Sequence, residues 1–139
     1  MEENADYIHT VQYYETDKMG VAHHSNYIRW MEEARVAFLA ALGWPFEALE
    51  ARGLVSPVVA LDCKYRLTTR FAEAVSIYVR VESCSGVRLC FAYEMRSADG
   101  ALVFEGRSEH CFLNAAGRPV RLNRELPDFF AALKAAAGE

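Results

Sequence analysis

The spacing of apolar and polar residues changes period twice along the chain. Tyr7 to Tyr14, YIHTVQYY, is dense in aromatic and β-branched residues and predicts a strand. From Tyr27 the period lengthens. Tyr27, Met31, Ala34, Phe38 and Leu42 recur at helical spacing, with Arg29, Glu32, Glu33 and Val36 on the other side, which predicts a helix over 27–42. Ser25 or Asn26 can cap its first amides, and Gly43 before Trp44-Pro45 supplies the stop. At about 100° per residue the apolar arc is wider than a surface stripe and is interrupted by Arg35, so this helix is expected to be wrapped by other elements.

A short helical piece, Pro45 to Arg52, ends at Gly53, and beyond it the period becomes two. Leu61–Thr68, Val75–Glu82 and Val87–Arg96 each alternate and predict strands with one wet face. Ser83-Cys84-Ser85-Gly86 and Ala98-Asp99-Gly100 carry hairpin chemistry, Ala101–Leu113 predicts a further strand, and Pro127–Ala137 a short terminal helix. One strand, one long helix and four strands in meander-like succession predict an α+β fold, a curved antiparallel sheet wrapped around the helix. Such a sheet has open edges. Pairing two copies edge to edge would cover them, so at least a homodimer is expected.

Composition narrows the class. A chain of 139 residues suits one domain, 1–139, and 53% hydrophobic against 24% charged residues can bury a core. The net charge of -4 argues against nucleic acid as a partner. Four cysteines without a CxxC pair, and opening residues MEENADYIHT that lack a secretory pattern, point to the cytoplasm. No apolar run is long enough for membrane insertion.

The chemistry gathers in YETDKMGVAHHSNY, Tyr14 to Tyr27, just before the long helix. Tyr14-Glu15-Thr16-Asp17, then Gly20, then His24-Ser25-Asn26-Tyr27, then Trp30 with Glu33-Ala34-Arg35, resembles the hotdog-fold acyl-CoA thioesterases of the 4-hydroxybenzoyl-CoA thioesterase type, in particular their Tol-Pal-associated branch. The resemblance extends over almost the whole chain in element order, while the specific residues lie in this motif. It implies that Asp17 is the catalytic carboxylate and that His24 lies in the active site. It implies an acyl-CoA substrate, a homodimer pairing into a tetramer, and no cofactor beyond the coenzyme A of the substrate. His23 stands where an aromatic residue is frequent, Ala22 is small, and Lys18-Met19 replaces a small pair; these departures bear on substrate size.

The residues themselves suit thioester hydrolysis, which needs a base or nucleophile and a donor for the developing oxyanion. Asp17 could activate water or attack the carbonyl; the sequence leaves both open. Backbone N–H groups at His24, Ser25 and Asn26, at the positive end of the helix dipole, could bind the carbonyl oxygen. One such donor contributes roughly 3 to 4 kcal/mol in the transition state. Gly20 would permit a tight turn between acid and helix. The His24 imidazole, with an ordinary pKa of about 6.5, could orient water or assist the leaving thiolate.

Plainer roles compete. Asp17 could be a turn residue, Asn26 a helix cap, and Arg35 the partner of a carboxylate. His23 and His24 lack the spaced partners of a metal site, so none is expected. Val58 and Val59 are candidates to line an acyl pocket from the partner subunit, and Arg88, followed by Arg121, to hold coenzyme A phosphates. Rival functions are hydrolysis of acyl groups from acyl carrier protein, enoyl-CoA hydration, and binding of acyl chains or an envelope partner without turnover.

Overall fold

The computed structural model describes residues 4–138. In chain order it contains β1 (Tyr7–Thr10), a 3-10 turn (Tyr13–Glu15), α1 (Ser25–Ala41), α2 (Phe46–Ala51), β2 (Val58–Tyr65), β3 (Ala74–Cys84), β4 (Leu89–Ser97), β5 (Leu102–His110), α3 (Leu122–Glu125) and α4 (Pro127–Ala136). The strands form one sheet in the order β1-β3-β4-β5-β2.

Neighbouring strands run antiparallel. β1 pairs with β3 from Tyr7 opposite Ile77 to Thr10 opposite Ala74. The turns after β3 and β4 close through Ser85 N–H to the Arg88 carbonyl (2.8 Å) and Ser97 N–H to the Ala101 carbonyl (2.9 Å). Cys111 N–H donates to Pro57 at 3.3 Å and Arg66 N–H to Val103 at 2.9 Å, so numbers fall along β5 as they rise along β2. This is the α+β hotdog architecture expected from the sequence.

Three details differ from expectation. The four later strands are not a simple meander: β1 occupies the outer edge of β3, and β2 pairs instead with β5 at the opposite edge. The first strand ends at Thr10, because Glu15 N–H bonds the Gln12 carbonyl (3.0 Å) while Glu15 Oε1 accepts Gln12 N–H (2.8 Å), curling the chain into the 3-10 turn. A wet face is not shared by every strand. In β4, at the centre of the sheet, Leu89 to Tyr93 are all buried, whereas edge strand β2 is exposed at every position except half-buried Cys63.

Packing divides the chain into two compact units. The first comprises the segment ending at Phe38 with Cys63–Val79 and Tyr93–Gly106. In it Trp30, Met31 and Ala34 of α1 are buried. Tyr27 stacks on Phe104 (centroids 5.2 Å apart) and its hydroxyl meets Thr69 Oγ1 at 2.8 Å. Gly106 is what allows the helix so near: a Cβ there would stand 2.7 Å from Met31 Sδ and 2.7 Å from Phe104 Cε1. Arg35 is buried and, within the single chain, donates to the Tyr93 hydroxyl at 3.1 Å.

The second unit comprises Leu39–Asp62, Arg80–Ala92 and the segment from Arg107 onward. Phe112, Leu122, Phe129 and Leu133 are buried in it, with Trp44 against Phe129 (centroids 5.1 Å apart). The short α3, absent from the sequence-based expectation, is seated by Leu122 N–H on the Gly86 carbonyl at 2.8 Å.

Candidate functional site

Residues 16–22 form a small hairpin. Thr16 bridges Ala22, Asp17 N–H donates to the Val21 carbonyl at 2.9 Å, and Gly20 N–H returns to the Asp17 carbonyl at 2.9 Å. Gly20 has φ +79°, a left-handed conformation that a glycine adopts without strain. Asp17 therefore sits at the hairpin tip. It is exposed on the single chain, and its Oδ1 accepts Met19 N–H at 2.8 Å, which orients the carboxylate without burying it.

The returning arm leads into α1. His23, rather than Ser25 or Asn26, caps the helix: its Nδ1 accepts Ser25 N–H at 3.2 Å and lies 2.8 Å from Ser25 Oγ. Asn26 N–H donates to the His23 carbonyl at 3.0 Å. The amides of Ser25 and Asn26 are thus satisfied within the chain, which narrows the anticipated donor set. Among the described residues the His24 N–H makes no hydrogen bond, and it lies at the positive end of the α1 dipole.

The His24 carbonyl accepts from the Tyr65 hydroxyl at 3.1 Å. Burial pushes the Tyr65 phenol up, and Cys63 adds to the shift. Both histidines precede the first helical residue, and their rings stack with centroids 4.2 Å apart. Among the described residues no group of three or more His, Cys, Asp or Glu could hold a metal ion.

Asn26 differs from the helix cap expected of it. It is buried, and its Nδ2 donates to the Glu15 carbonyl at 2.9 Å, so the side chain neither caps the helix nor faces solvent. Glu15 enters the sequence motif Tyr14–Asp17 without any role assigned to it. Only 5% exposed, it accepts hydrogen bonds from His9 Nε2, Gln12 N–H and Trp30 Nε1, each at 2.8 Å. Burial pushes the Glu15 carboxyl up, but the bonds from His9, Gln12 and Trp30 outweigh burial and hold it below the usual carboxylate value. The available signal was Gln12-x-x-Glu15, a Gln-headed variant of the capping box that ends one residue before the Thr16-Asp17 pair.

The other candidates belong to the second unit. Arg88 and Arg121 are both exposed and flank one turn: Ser85 Oγ accepts Arg88 N–H at 3.0 Å, and a Cβ at Gly86 would stand 4.0 Å from Arg121 Cβ. Val58 and Val59 open β2 and are 43% and 47% exposed on the single chain.

The family model of the Thioesterase-like superfamily matches residues 11–135, which include the hairpin, α1 and the whole of β2 to β5. YneP of Bacillus subtilis (strain 168), provisionally named an acyl-CoA thioesterase, is 30% identical over 127 residues, spanning 91% of this chain and 92% of its own. The acyl-CoA thioester hydrolase YbgC of Escherichia coli O6:H1 (strain CFT073) is 27% identical over 95 residues, 68% of this chain and 71% of its own. A crystal structure of a DHNA-CoA thioesterase from Staphylococcus aureus superposes with a TM-score of 0.91 at 32% identity, over 95% of this chain and 89% of that one. With the family pattern running through the hairpin, the helix mouth and the sheet alike, the chain belongs to the Thioesterase-like superfamily.

Proposed function

We propose that this chain is an acyl-CoA thioesterase, releasing a free acid and coenzyme A. The observation that carries the reading is the tight hairpin that presents the Asp17 carboxylate and then leads into the unbonded His24 amide at the mouth of α1. The names of YneP, YbgC and the S. aureus DHNA-CoA thioesterase point to the same chemistry.

The thioester oxygen takes the His24 N–H, where the helix dipole favours the negative charge that develops as the carbon becomes tetrahedral. Asp17 either removes a proton from the attacking water or adds to the carbon and forms an anhydride that water then opens. In both routes the C–S bond breaks and the thiolate takes up a proton. In the first the acid keeps the oxygen from water; in the second water opens the anhydride at the Asp17 carboxyl carbon, so the acid leaves with an Asp17 oxygen and Asp17 keeps the oxygen from water. The His24 imidazole orients water or supplies the proton to sulfur. Gly20 leaves room for substrate beside the backbone, Ser25 and Asn26 hold the helix mouth in place, and no cofactor takes part.

A dimer completes this reading. β2 is a sheet edge whose Val58, Val59, Leu61 and Tyr65 are 43–47% exposed, an apolar edge that a second copy would cover. Val58 and Val59 then line the acyl pocket of the partner, and dimers pair into a tetramer. Arg88 and Arg121 bind the coenzyme A phosphates. Among the described residues no helix is long and apolar enough to cross a membrane, and the proposed location is the cytoplasm. The narrower placement in the Tol-Pal-associated branch rests on the Tyr14–Arg35 motif.

A thiol-release assay over short, long and aromatic acyl-CoA esters, with acyl carrier protein thioesters and crotonyl-CoA alongside, tests the proposal. Release of coenzyme A by the wild type and its loss in Asp17→Asn supports it. Faster release from the carrier protein, hydration of crotonyl-CoA, or tight acyl-CoA binding without release would each replace it with the corresponding rival.

A further inference from the structure

Three segments of the first unit converge on one buried carboxylate. His9 comes from β1, Gln12 from the following turn and Trp30 from the second turn of α1, and each gives Glu15 a hydrogen bond of 2.8 Å. The backbone carbonyl of the same residue accepts two more, from His23 N–H at 2.8 Å and from Asn26 Nδ2 at 2.9 Å. A residue two positions before Asp17 therefore accepts five hydrogen bonds, and one of them comes from the residue just before His24.

The charge environment of the cluster is closed on its far side as well. His9 Nδ1 lies 3.8 Å from Glu33 Oε2, and Glu33 Oε1 accepts the Tyr7 hydroxyl at 3.1 Å. The His9 ring is held between two carboxylates and against the Trp30 ring, with centroids 4.7 Å apart. Taking a carboxylate out of water is costly, and apolar side chains of similar volume fill a core at least as well. What a charged group adds here is direction. Both carboxylate oxygens are engaged, so the side chain has one orientation, and its peptide is fixed with it.

We propose that Glu15 is the positioning residue of this site. Gripped by His9, Gln12 and Trp30, its carboxylate fixes the Glu15 peptide, whose carbonyl holds His23 and Asn26 and so sets the separation between the Asp17 carboxylate and the His24 amide. The inference rests on the thioesterase reading of Asp17 and His24. Glu15 touches no substrate; it acts through the hairpin. A displacement of about 1 Å between reacting groups costs on the order of 100-fold in rate, so such a clamp acts on kcat rather than on KM.

Glu15→Gln tests this without a change in volume, because the new amide turns a donor toward either Trp30 Nε1–H or the Gln12 N–H. The expected result is a kcat reduced roughly 10- to 100-fold, a KM for acyl-CoA within about twofold, and faster hydrogen exchange at the His23 amide, in a protein that still unfolds cooperatively. A second pair keeps the test decisive if Glu15→Gln does not fold. His9→Gln retains a donor toward Oε1 and restores kcat to within about threefold of wild type, whereas His9→Leu removes the donor and reproduces the loss. Unchanged kcat in Glu15→Gln, or equal effects of the two His9 variants, overturns the proposal. Failure of the thioesterase reading is seen separately, as a wild type that releases no thiol. Asp17→Asn separates the two in the other direction, losing turnover while keeping the His23 amide protected.

Discussion

The Tyr65 hydroxyl, at the last residue of β2, donates to the His24 carbonyl at 3.1 Å. The end of a strand thereby holds the His24–Ser25 peptide that opens α1, next along the chain to the His24 amide proposed to receive the thioester oxygen.

Tyr65→Phe removes that bond together with the hydroxyl's hydrogen bond to Cys63, while the ring keeps its contacts with Tyr27 and Phe104, at centroid distances of 5.4 and 5.3 Å. The expected outcome is a fall in kcat of about fivefold, the equivalent of a hydrogen bond worth about 1 kcal/mol, with the melting temperature nearly unchanged. Steady-state thiol release beside a thermal melt measures both.

Asp17→Asn keeps an oxygen that can accept Met19 N–H, so the hairpin survives while the charge is lost. A drop in kcat of about 100-fold or more is expected, the range of a general base or nucleophile. Single turnover in oxygen-18 water distinguishes the routes: label appears in the Asp17 side chain only if the anhydride forms.

Glu15 links the site to acid stability. Its folded carboxyl lies below its unfolded value of about 4.3, so the folded state gains from it above that value and loses the gain as pH falls through the folded value. Wild type and Glu15→Gln should differ most in urea midpoint near neutral pH, and the gap should shrink as the solution is taken below about pH 4. A gap that widens on acidification would contradict the sign.

Gly106→Ala places a methyl 2.7 Å from both Met31 Sδ and Phe104 Cε1. Overpacking of this kind costs about 1–3 kcal/mol, and urea unfolding should show it as a lower midpoint with little change in slope.

Leu61→Lys adds a charge to the exposed β2 edge, where Leu61 is 43% exposed on the single chain. Sedimentation should show the variant as a monomer where the wild type is a dimer or larger, with thioesterase activity lost alongside. A variant of wild-type size and activity would remove β2 from the proposed interface.

The parts of the site that were legible in the sequence depend on near neighbours. The turn at Gly20 follows from a glycine free to take φ +79° between residues that bond across four positions. The helix start was legible to within two residues, since a change of hydrophobic period and a cluster of small polar residues mark it locally. The capping residue was not, because an imidazole can do what a hydroxyl does only when its ring is held beside the amide, as His23 is here.

What the sequence by itself determined was the alternation of the main elements, the tight turn at Gly20 between Asp17 and the helix, and the family pattern running from Tyr14 to Arg35. Tertiary structure alone decided that β2 forms the outer edge beside β5, that Arg35 meets a phenol 58 positions away, and that Glu15 is buried under His9 and Trp30. The physical reason is common to all three. Periodicity and turn chemistry are set by torsions and contacts within a few residues, whereas the partner of a buried polar group is set by which distant segments the sheet and helix bring against it.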